Sequence, residues 1–342
     1  MKQRHFTPHR QKLVVLALAI LLVAVFLVLI CVGRYSVSPI EAFRIMGAAL
    51  MGKTEQLDPY QVSVILRVRL PRILMGMLVG AGLSVAGTAY QGIFGNPLVS
   101  PDILGVSSGA GFGAALGILL FTSTFAIQGA ALLFGLLAVA VVLLISRVKG
   151  RTELFMLVLS GVIVQALFDA LVSLIKYVSD PQEKLPAITV WLMGSLASSS
   201  YKDVLIACAV ILPCIVILLA LRWKLNLLSL EDEEARSLGV NVSRLRMVVI
   251  VLSTLITAVT VSLCGVIGWI GLVIPHIGRI LVGNDHRTLL PASALLGGVY
   301  LLLIDTVART ATAAEIPLSI LTAIIGAPFF AWMLRRTSGG AT

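Results

Sequence analysis

Charged residues are scarce in this chain of 342 residues, making up 12% of it, whereas hydrophobic residues make up 58%. A soluble globule of this length needs more polar surface, so the composition excludes a soluble protein and indicates that a bilayer surrounds most of the chain. The net charge of +10 is spread over several loops. We therefore expect a lipid environment and no nucleic-acid partner.

Cysteine and histidine are also scarce, with four of each. Neither set has the close spacing of metal ligands, so we expect no metal site, and packing is the expected role of the thiols. The residues concerned are Cys31, Cys208, Cys214, Cys264, His5, His9, His276 and His286. Nothing in the sequence indicates a cofactor bound to this chain.

About ten apolar segments are long enough, at about 20 residues each, to cross a bilayer as helices. The sequence therefore predicts an all-α polytopic membrane protein, with residues 1–342 forming a single transmembrane domain. The expected spans are 13–33, 70–90, 103–122, 124–146, 154–175, 204–221, 247–264, 265–283, 289–308 and 316–334. The first span lacks a small-residue cleavage site, so we expect a retained helix. A modest excess of Lys and Arg on the even-numbered connections favours cytoplasmic termini in the cell (inner) membrane.

Two halves of the chain resemble each other weakly. Residues 70–175 and 247–334 each follow arginines, continue into a small-residue helix and reach a proline turn. Opposite orientations would make them inverted repeats, which build a pathway at their interface in many transporters. An ordinary helical bundle with accidental glycine similarity is the alternative.

A phosphate-loop pattern occurs where no nucleotide is expected. Residues 47–54 read GAALMGKT, and LLLID ends at Asp305 like a Walker B strand. A phosphate loop needs a preceding strand, whereas residues 39–50 read as a short amphipathic helix and Asp305 falls inside a span. We expect no nucleotide site and no catalytic residue in this chain.

Polar residues recur on one face of the fifth span. Gln165, Asp169 and Ser173 are four residues apart, and ionisable groups at membrane depth usually face a cavity or a partner. The stripe predicts the lining of a translocation path, with a hydrogen bond between helices as the alternative. Asp305 and Arg309 have the same spacing, so we expect them to pair along the ninth span.

Residues 222–246 form the longest expected cytoplasmic segment. Its acidic residues favour the start of a helix, and Gly239 favours its end. Exposed leucines in so short a loop indicate a docking face, with a solvated loop as the alternative. These leucines are Leu227, Leu228, Leu230 and Leu238.

Several long motifs resemble the FecCD family of permeases from type II ABC importers. The motifs are RLPR (69–72), NPLVSPDILGVSSGAG (96–111), WLMGSL (191–196), EEARSLGV (233–240), GWIGLVIPHIGR (268–279), DTVAR (305–309) and EIPLSILTAIIGAPFF (315–330). The resemblance implies a cobalamin-permease-like fold with ten helices per subunit in a homodimer. It also implies two ATP-binding cassette subunits that hold ATP and Mg, and an extracytoplasmic binding protein. The chain itself would then be no enzyme.

The resemblance also assigns roles to particular residues. Arg69, Arg72 and Arg309 match outer arginines that dock the binding protein. Leu154 and Phe155 fall at the cytoplasmic gate, and the path agrees with the stripe in the fifth span. The element that couples to the ATPases matches Glu233, Glu234, Ala235, Arg236, Ser237, Leu238 and Gly239.

The substrate implied by the resemblance is a metal chelate, with a ferric siderophore expected first. Haem, cobalamin and molybdate or tungstate are alternatives within the same family. A proton-coupled secondary transporter is the alternative from another class, suggested by Asp169 and the inverted repeats.

Overall fold

The computed structural model describes residues 7–148, 151–152, 154–228 and 232–338. Within these ranges the only strands are β1 (Arg147–Val148) and β2 (Arg151–Thr152), a short antiparallel pair in which Arg147 is opposite Thr152. The helices are α1 (Pro8–Leu29), α2 (Pro39–Leu50), α3 (Pro59–Val62), α4 (Leu70–Phe94), α5 (Val106–Leu120), α6 (Thr124–Ile145), α7 (Leu154–Val178), α8 (Lys184–Leu192), α9 (Tyr201–Leu227), α10 (Asp232–Ser237), α11 (Val242–Cys264), α12 (Ile270–Val282), α13 (His286–Ala311) and α14 (Leu318–Ser338).

The predicted all-α polytopic fold is confirmed. Seven helical stretches in the described residues are long and apolar enough to cross a membrane, and α5, α12 and α14 are shorter apolar helices. Together they coincide with the ten expected spans. The second stretch is longer than expected, because α3 continues through a π-helical segment, Ser63–Arg69, into α4. The expected amphipathic helix at residues 39–50 is α2.

The connections sort the helix termini into two ends of the bundle. At the near end, where α1 starts, Gln11 Nε2 donates to the carbonyl of Val282 at 2.7 Å. Val282 ends α12, and α13 begins shortly after it, at His286. At the far end, where α1 stops, Arg34 Nε donates to the carbonyl of Arg309 at 2.8 Å. The alternating directions of the spans place the start of α1 and the end of α14 on the same side.

Small residues let α4 pack at the centre of the bundle. A Cβ atom on Gly80 would lie 2.2 Å from the carbonyl oxygen of Gly297 in α13. One on Gly87 would lie 1.9 Å from that of Gly271 in α12. Both distances are shorter than any real contact, so backbone meets backbone directly. The small-residue pattern of α4 therefore specifies close helix packing.

The phosphate-loop pattern has no phosphate-loop structure. Its first residues, from Gly47, lie in α2, and Gly52 follows in a turn with φ of 66°. Asp305 lies inside α13 and forms no strand. The expectation of no nucleotide site agrees with this geometry.

Candidate functional site

The predicted polar stripe lies at an open cavity on the side of the bundle. Gln165, Asp169 and Ser173 are exposed on one face of α7 and line a cavity of about 470 Å³. The Ser173 hydroxyl donates to the carbonyl of Asp169 at 2.9 Å, so its hydrogen is used within the helix. The structure thus brings the three predicted residues together; their role in transport stays a prediction.

The opposite wall of the cavity comes from the turn between α4 and α5 and from the first turn of α5. Asp102, Ser107 and Ser108 face α7 there, and the Ser107 hydroxyl donates to the Asp102 carboxylate. This turn approaches α7 closely, because Gly161 has no Cβ: one would lie 2.0 Å from the carbonyl oxygen of Ile103. Gly105, with φ of 72°, ends the turn and starts α5.

Two charged residues of this cavity were missed by the sequence reasoning. Lys176 extends the stripe by one further turn of α7, and Asp102 lies across from it. Continuing the same face past Ser173 would have found Lys176. Asp102 belongs to the long motif at residues 96–111, where an acidic residue amid apolar sequence was a usable signal. The cavity therefore carries both signs of charge.

The predicted docking arginines are buried at the far end and are used internally. Arg72 is 6% exposed, and its Nη2 lies 2.8 Å from Asp305 Oδ1 and 3.1 Å from Glu315 Oε2. Arg72 Nη1 also donates to Glu315 Oε1 at 3.1 Å. This triad joins α4, α13 and the loop before α14. Glu315 adopts a left-handed φ of 47°, which positions its carboxylate towards Arg72.

The expected pair of Asp305 with Arg309 does not form in the described structure. Asp305 pairs with Arg72 instead, while Arg309 Nη2 donates to the carbonyl of Leu29 at 3.1 Å. The reason is that the Arg309 side chain reaches across to α1, where the last helical carbonyls lack partners. The expected i, i+4 pair of Asp305 with Arg309 was wrong, because Arg309 donates to an acceptor on α1 that is distant in sequence.

Arg69 serves the same end of α1. Its Nη1 donates to the carbonyls of Ile30 and Cys31, each at 2.9 Å, and its Nη2 donates to that of Tyr35. The side chain is only 3% exposed. Arg69 and Arg309 therefore hold the connection after α1, and in this conformation neither presents a free guanidinium at the surface. Docking by these arginines stays a prediction.

The near end carries the predicted coupling element as a short helix, α10. The amide of Val240 donates to the carbonyl of Ala235 at 3.2 Å, and Gly239 has φ of 78°. This is the Schellman termination expected of a glycine at the end of a helix. The predicted stop at Gly239 is confirmed, and Ser237 Oγ adds a bond to the carbonyl of Glu234. The side chains of Glu233 and Arg236 lie outside the described residues.

The expected leucine face of this region is only partly exposed. Leu238 is 57% exposed, but Leu228 is only 6% exposed and packs in the main core. Leu227 is partly buried against that core, and Leu230 lies outside the described residues. Leu238 is therefore exposed as expected of a docking face. The expectation is wrong at Leu228, which is buried in the core.

The predicted gate residues begin α7 at the near end. Leu154 packs partly against the main core, whereas Phe155 is 75% exposed. An aromatic side chain this exposed can contact a neighbouring chain or lipid. Their gating role stays a prediction.

Comparisons with known proteins agree with this arrangement. The chain matches the FecCD transport family over residues 20–336. The chain belongs to this family. The molybdate import system permease protein MolB of Haemophilus influenzae is 46% identical over 327 residues, covering 96% of each chain. A probable iron chelatin transport system permease of Helicobacter pylori is 48% identical over 277 residues, covering 81% of this chain and 83% of the relative.

A solved structure gives the same result for the fold. It is described as an inward-facing metal-chelate type ABC transporter, matches with a TM-score of 0.85 and 46% identity, and covers 94% of this chain and 98% of its own. The chain is therefore an integral membrane permease of an ABC importer, with no ATPase site of its own. Family membership counts against the proton-coupled alternative.

Proposed function

We propose that this chain forms the transmembrane pathway of an importer for a small metal-containing anion or chelate, with molybdate as the first candidate. The supporting observation is the exposed polar face of α7, which runs from membrane depth to the far end and lines a cavity together with the Ser108 hydroxyl, the Gln165 amide and the Lys176 ammonium. These groups can hydrogen-bond to the oxygens of an oxyanion in passage. The molybdate relative, which matches over 96% of both chains, supports the same substrate.

A ferric siderophore or other iron chelate is the second candidate, supported by the Helicobacter pylori relative. The two acidic groups of the cavity, Asp102 and Asp169, suit a bare dianion less well than a chelate with dispersed charge. Uptake of the two candidate substrates should therefore respond differently to changes in the charges of the cavity.

The partners complete the proposal. A second copy of the chain would cover the open side of α7, where Leu159, Ile163 and Leu167 are exposed. Two ATP-binding cassette subunits would hold ATP and Mg and contact α10, and a binding protein would deliver the substrate at the far end. If the termini are cytoplasmic, as the Lys and Arg bias favours, the near end would lie inside the cell. ATP binding would draw the two α10 regions together and switch which end of the path is open.

The deciding experiment is uptake by the reconstituted complex, with permease, ATPase and binding protein, at limiting substrate. With molybdate, Lys176→Gln should lower uptake several-fold and Asp169→Asn should raise it, because the first removes an attractive charge and the second a repulsive one. With an iron chelate, both substitutions should change uptake less, and the difference between their effects should be smaller. Leu174→Ala, at an exposed apolar position of α7, is the control.

Unchanged uptake in both charge variants would remove α7 from the path. Transport of both substrates at equal rates would contradict a path that is selective for the oxyanion. Transport driven by a proton gradient without the ATPase would contradict the importer mechanism.

A further inference from the structure

Helix α2 divides into three faces. Ala42, Ile45 and Met46 point into the protein and pack in a cluster with Ile65 and Ile73 at the far end of the bundle. A second face carries Glu41 and Arg44, both exposed. The third face is apolar yet uncovered: Ile40 is 81%, Phe43 45% and Leu50 91% exposed, and Met51, directly after the helix, is 74% exposed. A helix with one face packed on the protein, one polar face and one uncovered apolar face is typical of a helix at the membrane interface.

Exposed tyrosine and tryptophan side chains occur at both ends of the bundle. Tyr35, Tyr60, Tyr177 and Tyr201 are exposed and all lie at the far ends of their helices or in the adjoining connection. Trp223 and Trp332 are exposed towards the near end. Tyr201 and Trp223 lie on the same helix, and the 1.5 Å rise per residue separates them by about 33 Å. This spacing is close to the thickness of a bilayer core, about 30 Å, as expected for two aromatic belts.

The tyrosine belt fixes the level of α2. Tyr35 precedes the helix and Tyr60 follows it, and their rings pack edge to face with centroids 4.9 Å apart. Both ends of the α2 segment are thereby held at the height where tyrosines meet lipid headgroups. At that height, an exposed apolar stripe on the outside of the bundle faces acyl chains and the adjoining cations face phosphates. Arg44 and Lys53 are exposed and supply those cations.

We propose that α2 lies in the membrane interface of the far side, with Ile40, Phe43, Leu50 and Met51 among the lipids and Arg44 and Lys53 bound to anionic headgroup phosphates. The helix thus anchors the connection between α1 and α4 to the bilayer. Its apolar face would lie about 5–10 Å below the headgroup surface. The assignment needs only the membrane location of the chain and does not depend on which substrate is transported.

The test is collision accessibility of nitroxide labels in lipid nanodiscs. Single cysteines replace Phe43, Leu50 or Glu41 in full-length chain whose native cysteines are changed to alanine. Phe43 and Leu50 should show a ratio of oxygen to nickel-chelate accessibility several-fold above that of Glu41, the control on the polar face. High nickel accessibility at Phe43 and Leu50 would place this face in water and overturn the proposal. Low accessibility to both reagents would reveal a protein contact, a second copy or another chain, and would also overturn it.

The headgroup part is tested in the same assay. In nanodiscs rich in phosphatidylglycerol, Arg44→Gln with Lys53→Gln should lower the oxygen-to-nickel ratio at Phe43, and in pure phosphatidylcholine the change should be smaller. Equal changes in the two lipids would overturn the role of anionic phosphate. Should the cysteine-free chain fail to fold, quenching of Phe43→Trp by brominated phosphatidylglycerol, against Glu41→Trp, replaces the label.

Discussion

The far and near ends of the helix bundle use charged and small residues in opposite ways. At the far end, Arg69, Arg72 and Arg309 are each less than 10% exposed and donate to carboxylates or backbone carbonyls. At the near end, α10 is six residues long and is followed by an exposed Leu238 and by Gly239 in open space. The far end is cross-linked by side chains of charged residues, whereas α10 at the near end is terminated mainly by backbone bonds.

This difference indicates what each end can do. A buried ionic network has few alternative arrangements, because an unpaired charge in a low dielectric is costly. Helix α10 is only six residues long, and Ala235 joins it to the main core, so it can shift at a smaller cost in lost contacts than a full span. We infer that the far end is rigid, while α10 at the near end can move in response to partners.

The largest expected effect comes from breaking the triad at the far end. Arg72→Gln should lower the free energy of unfolding by about 3–5 kcal/mol, because it leaves Asp305 buried without its charge partner. The double variant Arg72→Gln with Asp305→Asn should lose less than the sum of the two single changes. Glu315→Gln should cost less than either, since the Glu315 side chain is 32% exposed and water screens the pair.

Thermal unfolding in nanodiscs measures all four variants. Additive losses in the double variant would show that Arg72 and Asp305 act independently. An Arg72→Gln protein as stable as the unmodified chain would contradict the rigid far end altogether.

The next effect sharpens the contrast by placing equal backbone strain at the two ends. Gly239 has φ of 78° and Gly52 has φ of 66°, so valine at either position would adopt a left-handed backbone conformation. Neither new Cβ would have an atom within 4 Å, so the two changes add strain without a clash. Each should cost about 1–2 kcal/mol of local strain. Only Gly239→Val should lower the substrate transported per ATP hydrolysed, by several-fold, because only it distorts the predicted coupling element.

The readout is uptake and phosphate release in the same reconstituted complex, with Gly52→Val as the matched control. Equal losses of coupling in the two variants would mean that strain, and no specific role of α10, caused the defect. Normal coupling in Gly239→Val would contradict the assignment of residues 233–239.

The sequence predicted what depends on local pattern. Hydropathy located the ten apolar helices, a spacing of four residues placed Gln165, Asp169 and Ser173 on one face, and a glycine marked the end of α10. Each of these properties depends on residues within a single helix and its ends. The family motifs, which are longer, identified the importer class.

The sequence did not predict which groups the arginines bind. Arg72 meets Asp305 across 233 positions, and Arg309 meets Leu29 across 280. Pairing at such separations depends on which helices adjoin, and the local alternative of Asp305 with Arg309 looked equally good by spacing. Asp102 was missed for the same reason, since only the packing of the α4–α5 turn on α7 brings it to the cavity.

The smallest expected effect concerns docking at the far end. Since the three matched arginines are buried, the exposed Arg67 and Lys202 are available for electrostatic contact with a binding protein. Arg67→Glu with Lys202→Glu should weaken docking several-fold, more at low salt, with no change in the melting temperature. Binding of the partner protein to nanodiscs at two ionic strengths measures this. The opposite result would be loss of docking in Arg309→Gln at an unchanged melting temperature, with docking kept in the surface variant. It would mean that the buried arginines leave their carbonyl acceptors during docking. The far end would then be mobile.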